Sequence, residues 1–369
     1  MKKIVICIPW FWPAYKAGGP IQSIINLVTQ FKGNCRFYIF TSNSDLGGEK
    51  LTGIETNQWI GFNAHTKIWY ASQQPQAALK KIVKEIAPDH LFIIGLFSPA
   101  FNIFPLLGIK NVQKILSPRG MLHPGALRQK ALKKYIFLSF FKKTNAIKSV
   151  VFHATDAEEE KMIKNNFGRQ ANVKIASNFP RLFSPVEKTK ANNRLKLISI
   201  ALISPMKNHL LVLEALQKCT YTISYAIYGP VKNAAYWQQC KNSIRQLPEN
   251  VAVQYHGILE STDVAAALQN ADVFILPSKS ENFAHAICEA LSAGLPVITS
   301  HFTPWNQLQD AKAGLNVDLT SQDIVSAIDR FAKMDTFEFS NWSFAAAGYI
   351  QHKINSTKIN EQYHLLFNM

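Results

Sequence analysis

Glu281 and Glu289 stand eight positions apart in the stretch from Val273 to Thr299, VFILPSKSENFAHAICEALSAGLPVIT. Two carboxylates at that spacing frame a loop and the start of a helix, a place where a ligand's hydroxyls or phosphates can be held. The first acid precedes the helix; the second falls on the helix itself, on the face away from Ile287. A plainer reading has Glu281 merely favouring a helix N-terminus and Glu289 facing solvent.

The elements that must position this pair are legible from the pattern. The apolar run ending at Pro277 reads as a buried strand, and Ser278-Lys279-Ser280-Glu281-Asn282 as a polar loop. Phe283, Ile287, Ala290 and Leu291 predict one face of a helix that Gly294 stops, and Leu295–Thr299 reads as the next strand. Such a strand-loop-helix-strand unit belongs to a parallel sheet. Ligands of these sheets sit beyond the carboxyl ends of the strands, and the unpaired N–H groups of the following helix seat phosphate well.

The stretch resembles the Glu-x7-Glu signature of retaining glycosyltransferases of family 4, with Pro277-Ser278, Asn282-Phe283, Glu289-Ala290-Leu291 and Gly294-Leu295-Pro296-Val297-Ile298 around it. The resemblance implies that Glu289 accepts the ribose hydroxyls of a nucleotide and that Glu281 lies beside the donor sugar. Asn282, Phe283, Ala284 and His285 would hold the diphosphate and sugar between them.

Composition agrees with an enzyme of that kind. A chain of 369 residues, 47% hydrophobic, is long enough for two domains with separate cores. Cys7, Cys35, Cys219, Cys240 and Cys288 are scattered without metal-ligand spacing, which predicts reduced, buried thiols rather than a disulfide framework. The opening MKKIVICIPWFWP is interrupted by Pro9 and Pro13 and reads as a first strand, not a signal peptide. Leu91–Ile109 carries no charge, but Gly95, Pro99, Pro105 and Gly108 punctuate it. That suits a strand, a loop and a short buried helix better than a membrane span.

Charge is concentrated in the first half. Residues 1–180 carry 24 Lys+Arg against 9 Asp+Glu, whereas residues 181–369 carry 16 against 15. This points to an anionic partner of the first half. Within it, residues 124–143 combine Leu127, Ala131, Tyr135, Leu138 and Phe141 on one predicted helical face with Arg128, Lys130, Lys133, Lys134, Lys142 and Lys143. Such a basic helix either lies at an anionic membrane surface or packs its apolar side in a core with its lysines solvated.

Strands are expected at Ile4–Pro9, Arg36–Thr41, Lys67–Tyr70, His90–Phe97, Lys114–Ser117 and Val150–His153. After the first, Gly18-Gly19-Pro20 opens a helix with Ile21, Ile24, Ile25, Val28 and Phe31 on one face. The place of Gly18 and Gly19 matches the family's glycine loop, which lies near the donor phosphates or the acceptor; a tight turn is the plain alternative. Ser117-Pro118-Arg119-Gly120 resembles a family segment in which His or Arg precedes the Gly beside the donor sugar. Arg119 occupies that position, or else bonds nearby carbonyls at a turn. His123 and His153 read as edge or core residues before they read as catalytic ones.

A junction is expected near Asn178–Asn193, after which Leu195–Leu202 restarts the pattern. Ile203-Ser204-Pro205-Met206-Lys207-Asn208 resembles the family's Gly-Arg-Leu-x-Pro-x-Lys-Gly segment, whose cations neutralise the donor diphosphate. Lys207 is retained, but Leu202 stands at the Arg position and Ala201 at the Gly. Charge-assisted contacts to phosphate are strong, so the diphosphate needs Lys207, helix N–H groups and another cation, or is bound less tightly. Gly229 follows the strand Ile223–Tyr228. Ile258 follows Val251–His256, at the bend that passes the nucleobase in the family. Thr303-Pro304-Trp305 lines the sugar pocket or makes a structural turn. Helices are expected at Thr262–Asn270, Ser321–Lys333, Asn341–Lys353 and Thr357–Phe367.

The fold expected is α/β, the GT-B architecture of two Rossmann-like domains with parallel sheets facing a central cleft. Residues 1–180 would form the acceptor-side domain, 181–345 the nucleotide-sugar domain, and 346–369 a helix crossing back. The reaction implied is transfer of a sugar from a nucleotide-diphosphate donor to a hydroxyl acceptor, lipid-linked or polysaccharide, with retention. Glu281, Lys207 and Arg119 are the catalytic candidates. No cofactor or metal is called for, there being no Asp-x-Asp motif. The expected setting is cytoplasmic, with attachment to the inner membrane face an open addition. A nucleotide-sugar epimerase and a non-catalytic nucleotide-sugar-binding relative remain alternatives. A nucleic-acid binder, the third alternative, would use the same basic half with salt-sensitive binding, but no recognition motif accompanies it.

Overall fold

The computed structural model describes residues 1–369 apart from 124, 126, 128–130, 145–148, 187 and 189, and apart from the side chains of 131, 133 and 143. Two compact units divide the chain: Met1–Phe179 with Ser356–Met369, and Pro180–Asn355.

The sheet of unit 1 contains β1 (Lys2–Cys7), β2 (Cys35–Ser42), β3 (Trp59–Asn63), β4 (Thr66–Ala71), β5 (His90–Ile94), β6 (Gln113–Ser117), β7 (Val150–Ala154) and β8 (Val173–Ile175), in the order β3-β4-β2-β1-β5-β6-β7-β8. All neighbours run parallel except β3 and β4. α1 (Gly19–Gln30), α2 (Pro75–Ile86), α3 (Phe104–Gly108), α4 (Ala131–Lys143) and α5 (Ala157–Phe167) accompany the strands. Four central strands are apolar because both of their faces are covered. Val5, Cys7, Leu91, Ile93, Leu116 and Phe152 enter one core with Leu138, Phe141 and Ile163 from α4 and α5. β5 ends at Ile94, three residues earlier than the pattern suggests, because Gly95 turns with φ +97°. A π-helical turn at Pro99–Ile103 and α3 occupy the rest of the uncharged run. Among the described residues no helix is long and apolar enough to cross a membrane.

In unit 2 the sheet order is β11-β10-β9-β12-β13-β14, parallel throughout, from β9 (Arg194–Ile200), β10 (Thr222–Tyr228), β11 (Val251–Gly257), β12 (Val273–Leu276), β13 (Val297–Ser300) and β14 (Gly314–Val317). The helices are α6 (His209–Leu216), α7 (Ala234–Ile244), α8 (Val264–Gln269), α9 (His285–Ser292), α10 (Ser321–Lys333) and α11 (Thr336–Lys353). Alternate residues of β12 go to opposite cores. Val273 and Ile275 join α6, α7 and α10, while Phe274 and Leu276 join α8, α9 and α11. α9 begins at His285, so Phe283 lies in the loop and not on the helix; Ala284, left-handed at φ +57°, makes the corner.

α12 (Ser356–Leu366) belongs to unit 1. His90 Nε2 bonds the carbonyl of Phe367 at 2.7 Å, and Ser177 N donates to Gln362 Oε1 at 3.0 Å. Phe367 packs edge-on to Phe31 and Phe92. The five cysteines are free and buried.

His153 and His209 lie fully inside, one in each unit, and burial pulls both imidazoles down to about 3. His153 is a satisfied core residue: Nε2–H donates to Ala176 O and Nδ1 accepts from Ser117 Oγ, both at 2.8 Å. A histidine whose folded value lies below its unfolded one stabilises the fold above the unfolded value, and that contribution is lost as pH falls through 6.5 toward 3. Denaturant titrations between pH 7 and 5 should therefore show stability falling by about 2 kcal/mol per buried imidazole. His153→Gln should flatten the slope of the transition that reports unit 1.

Candidate functional site

Strand order reverses in unit 2 between β9 and β12, since β10 lies to one side of β9 and β13 to the far side of β12. Loops leaving adjacent strands in opposite directions open a crevice at their carboxyl ends. The loop after β9 carries Lys207 and the loop after β12 carries Glu281, and this topology brings them together. Lys279 N donates to Met206 O at 2.8 Å, lacing the two loops directly. Ser300 Oγ bonds Ser278 O at its distance of 2.5 Å, and Glu281 N bonds Phe302 O at 3.0 Å, tying the second loop to the end of β13.

Both helices that start at this crevice lack a side-chain cap. α6 follows Asn208, left-handed at φ +63°, and α9 follows Ala284, left-handed at φ +57°. Uncapped first turns present N–H donors and the positive end of the helix dipole. A β-carbon residue such as Ala284 in the left-handed region costs roughly 1–2 kcal/mol, a strain that marks the corner as set by more than local preference.

Glu281 Oε1 accepts from Ser278 Oγ at 2.7 Å and from the ammonium of Lys207. The carboxylate side chain is 9% exposed and the lysine 21%. The pair therefore stands at the crevice ready to exchange partners with an incoming anion. Glu289 is buried, not solvent-facing, at 5% exposure. Its Oε1 accepts from Arg181 Nε at 3.0 Å. Burial raises the Glu289 carboxyl above the ordinary value, while Arg181 pulls it back. Sequence reasoning missed Arg181, the second residue of the unit. Its guanidinium also donates through Nη1 to Ser261 O at 3.1 Å and Ser261 Oγ at 2.6 Å, and sits 4.9 Å from the Phe183 ring centre. One side chain thus joins Glu289 to the loop beyond Gly257 and the exposed Ile258.

Gly229 is glycine for a steric reason: a β-carbon there would lie 1.9 Å from Ala201 O. Trp305 is buried; its Nε1–H donates to Phe283 O at 2.7 Å and so fixes the loop before α9. His285 lies against the Phe283 ring, 4.7 Å between centres. Unit 2 thus assembles Lys207, Glu281, Asn282, Phe283, Ala284 and His285 at the β9/β12 crevice and Glu289 on the helix behind it. Ile258 and Gly229 lie on the loops after β11 and β10.

Gly18, Gly19 and Arg119 belong to unit 1. Gly18 has φ +70° and precedes α1, on the loop leaving β1 where strand order also reverses toward β5; a β-carbon at Gly19 would meet open space. Arg119, at φ +53°, is buried and donates through Nη1 to Asn178 Oδ1, while among the described residues Nε and Nη2 have no hydrogen-bond partner. Its charge lies near Tyr363 and His153. The observed geometry is that of an arginine bonding inside its own unit at a turn. Glu159, also missed from sequence, holds that turn: it accepts from Gly120 N at 2.7 Å and from Thr155 N and Oγ1 at 2.8 Å. Among the described residues no group of three or more His, Cys, Asp or Glu is placed to hold a metal ion.

Residues 181–341 match the family described as Glycosyl transferases group 1. Unit 2 carries a glycosyl transferases group 1 domain. The domain's span includes Arg181, Lys207, Glu281 and Glu289. The chain is 27% identical over 192 residues to WcaL of Escherichia coli K12, a proposed colanic acid biosynthesis glycosyltransferase, covering 49% of this chain and 46% of that protein. It is 28% identical over 101 residues to the O-antigen biosynthesis glycosyltransferase WclY of Escherichia coli, 27% of this chain and 28% of that one. The chain thus spans less than half the length of either relative. Whole-chain likeness is seen with sucrose-phosphate synthase of Thermosynechococcus elongatus (TM-score 0.77, 15% identity, 100% and 98% of the two chains). It extends to WaaG, a glycosyltransferase involved in lipopolysaccharide biosynthesis (0.69, 13%, 99% of each), and to Anabaena HepE in complex with UDP and glucose (0.71, 16%, 100% and 99%). With the group 1 domain in unit 2 and a sheet in each unit that is parallel but for the β3–β4 edge, the fold is that of the GT-B glycosyltransferases.

Proposed function

We propose that this protein is a retaining glycosyltransferase that moves a sugar from a nucleoside-diphosphate sugar to a hydroxyl acceptor in cell-surface polysaccharide or lipid-linked glycan assembly. The observation carrying this reading is the pair of ion-paired acids, Glu281–Lys207 and Glu289–Arg181, in a group 1 domain, the first of them between two uncapped helix starts. The diphosphate would draw Lys207 from Glu281 and take the N–H groups of α9. Glu281, freed, faces the sugar hydroxyls, and Glu289 accepts from the ribose. As the bond from the anomeric carbon to phosphate breaks, charge grows on the departing oxygen, where Lys207 and the helix start stabilise it. The acceptor oxygen adds on the same face and passes its proton to that phosphate. No metal enters this scheme. UDP in the HepE complex supports a nucleotide in this fold.

A thermal-shift screen of UDP, GDP and ADP tests the reading, because a ligand of the folded state raises the melting temperature. One nucleoside diphosphate should raise it in proportion to the logarithm of concentration; flat curves for all three would overturn the proposal.

Unit 1 is assigned the acceptor side, at an anionic membrane surface. Leu138 and Phe141 of α4 are buried, but Tyr135, expected on the same face, is 71% exposed. It shares the opposite face with Leu132, Ile136 and Phe140, all well exposed. A core helix does not need that apolar face, and a bilayer interface does. Lys142 is exposed beside it and Lys134 lies over the Phe97 ring. Arg128 and Lys130, with the side chains of Lys133 and Lys143, fall outside the described residues. Wild type should co-sediment with phosphatidylglycerol vesicles and Ile136→Glu/Phe140→Glu should stay in the supernatant; equal sedimentation would remove the membrane role.

A further inference from the structure

The loop after β9 carries a single cation, Lys207, with Leu202 apolar beside it. The loop after β10 runs directly over that place. Ala201 N bonds Tyr228 O and Ile203 N bonds Pro230 O, both at 2.9 Å, and the backbone N of Lys232 returns to Ile203 O at 3.1 Å. Gly229 permits this crossing by having no β-carbon to strike Ala201 O. Lys232 is thereby fixed beside the Leu202–Ile203 turn, with its side chain exposed. Among the described residues it forms no ion pair, and Lys207 is paired only with Glu281. The lysine's ammonium is held below its ordinary value, first by the protein atoms around it and then by the charge of Lys207. The carboxyl ends of β9 and β10 thus carry Lys207, paired with Glu281, and Lys232, which has no carboxylate partner among the described residues, a surplus of positive charge that an anion would balance.

We infer that Lys232 is the second diphosphate-binding cation, supplied from the loop after β10 in place of the residue that Leu202 is not. This rests on the nucleoside-diphosphate reading and deepens it. Lys207 holds the phosphate nearer Glu281, and Lys232 holds its neighbour.

Calorimetric titration of wild type, Lys232→Met and Lys232→Arg with UDP, GDP and ADP, and with UMP, GMP and AMP, tests it. For the nucleoside that wild type binds, Lys232→Met should weaken the diphosphate about 10-fold and the monophosphate less than about 2-fold, the loss expected for one charge-assisted contact. Lys232→Arg, which keeps the charge, should stay near wild type. If wild type binds and Lys232→Met leaves the diphosphate affinity unchanged, or weakens both nucleotides equally, the Lys232 assignment falls and the functional reading stands. Should wild type bind none of the six, both fall together.

Discussion

Lys207→Ala is expected to slow sugar transfer by about 100- to 1,000-fold, the loss typical of removing one preorganised group that meets developing charge. The substitution also strands the Glu281 carboxylate, which is 9% exposed and, among the described residues, keeps Ser278 as its remaining side-chain partner. Leaving such a group short of a partner costs about 1–3 kcal/mol, so a lower melting temperature alone could explain part of the defect. The double variant Lys207→Ala/Glu281→Gln separates the two causes. It removes the stranded charge and should recover stability, while transfer stays about 100-fold below that of Glu281→Gln alone, the reference needed because Glu281 itself faces the sugar. Recovery of transfer along with stability would show that Lys207 serves the fold and not the reaction.

Glu289→Gln is expected to weaken nucleoside-diphosphate binding by about 30-fold or more, the value of two hydrogen bonds to an ionised acceptor. Glutamine keeps the volume beneath β12 and can still accept from Arg181, so the fold should survive. The companion variant Arg181→Gln carries a pH signature. Burial already raises the Glu289 carboxyl, and Arg181 opposes that rise. Without the guanidinium the value climbs further. The ionised form accepts from the ribose, so affinity is present above the carboxyl's pKa and lost as pH falls through it. In Arg181→Gln that loss should set in at higher pH than in wild type, and Glu289→Gln should abolish it. Calorimetry across pH reads both; identical pH profiles in wild type and Arg181→Gln would remove the coupling.

How much of this could be read from the chain follows from what sequence can encode locally. The unit from β12 to β13 was legible because a strand buried on both faces is a short apolar run, a loop is polar, and Gly294 ends a helix. β3 and β8 were not, since none of their residues is fully buried, and three residues of β8 give no period to read. The start of α9 was misplaced because Phe283 fits the helical face, yet its ring packs on Trp305 from the loop. Tyr135 was misassigned because α4 is apolar on both of its faces, and periodicity cannot say which face meets the core.

Partners far apart in sequence were the main omission. Arg181 lies 108 residues from Glu289, and the contact exists only because α9 and the first residues of unit 2 are brought together. Glu159 similarly reaches 39 residues back to Gly120. Motif spacing identifies acids within one helix and its loop, but the cation that tunes a buried acid comes from wherever the fold returns.

A crystal structure with bound nucleoside diphosphate, UDP, GDP or ADP according to the thermal shift, tests the central claim most directly. The account predicts the diphosphate at the first turn of α9 within reach of Lys207, the ribose on Glu289, and the Lys207–Glu281 bond broken. A nucleotide bound elsewhere, with both acids still paired to Lys207 and Arg181 as in the free protein, would contradict it.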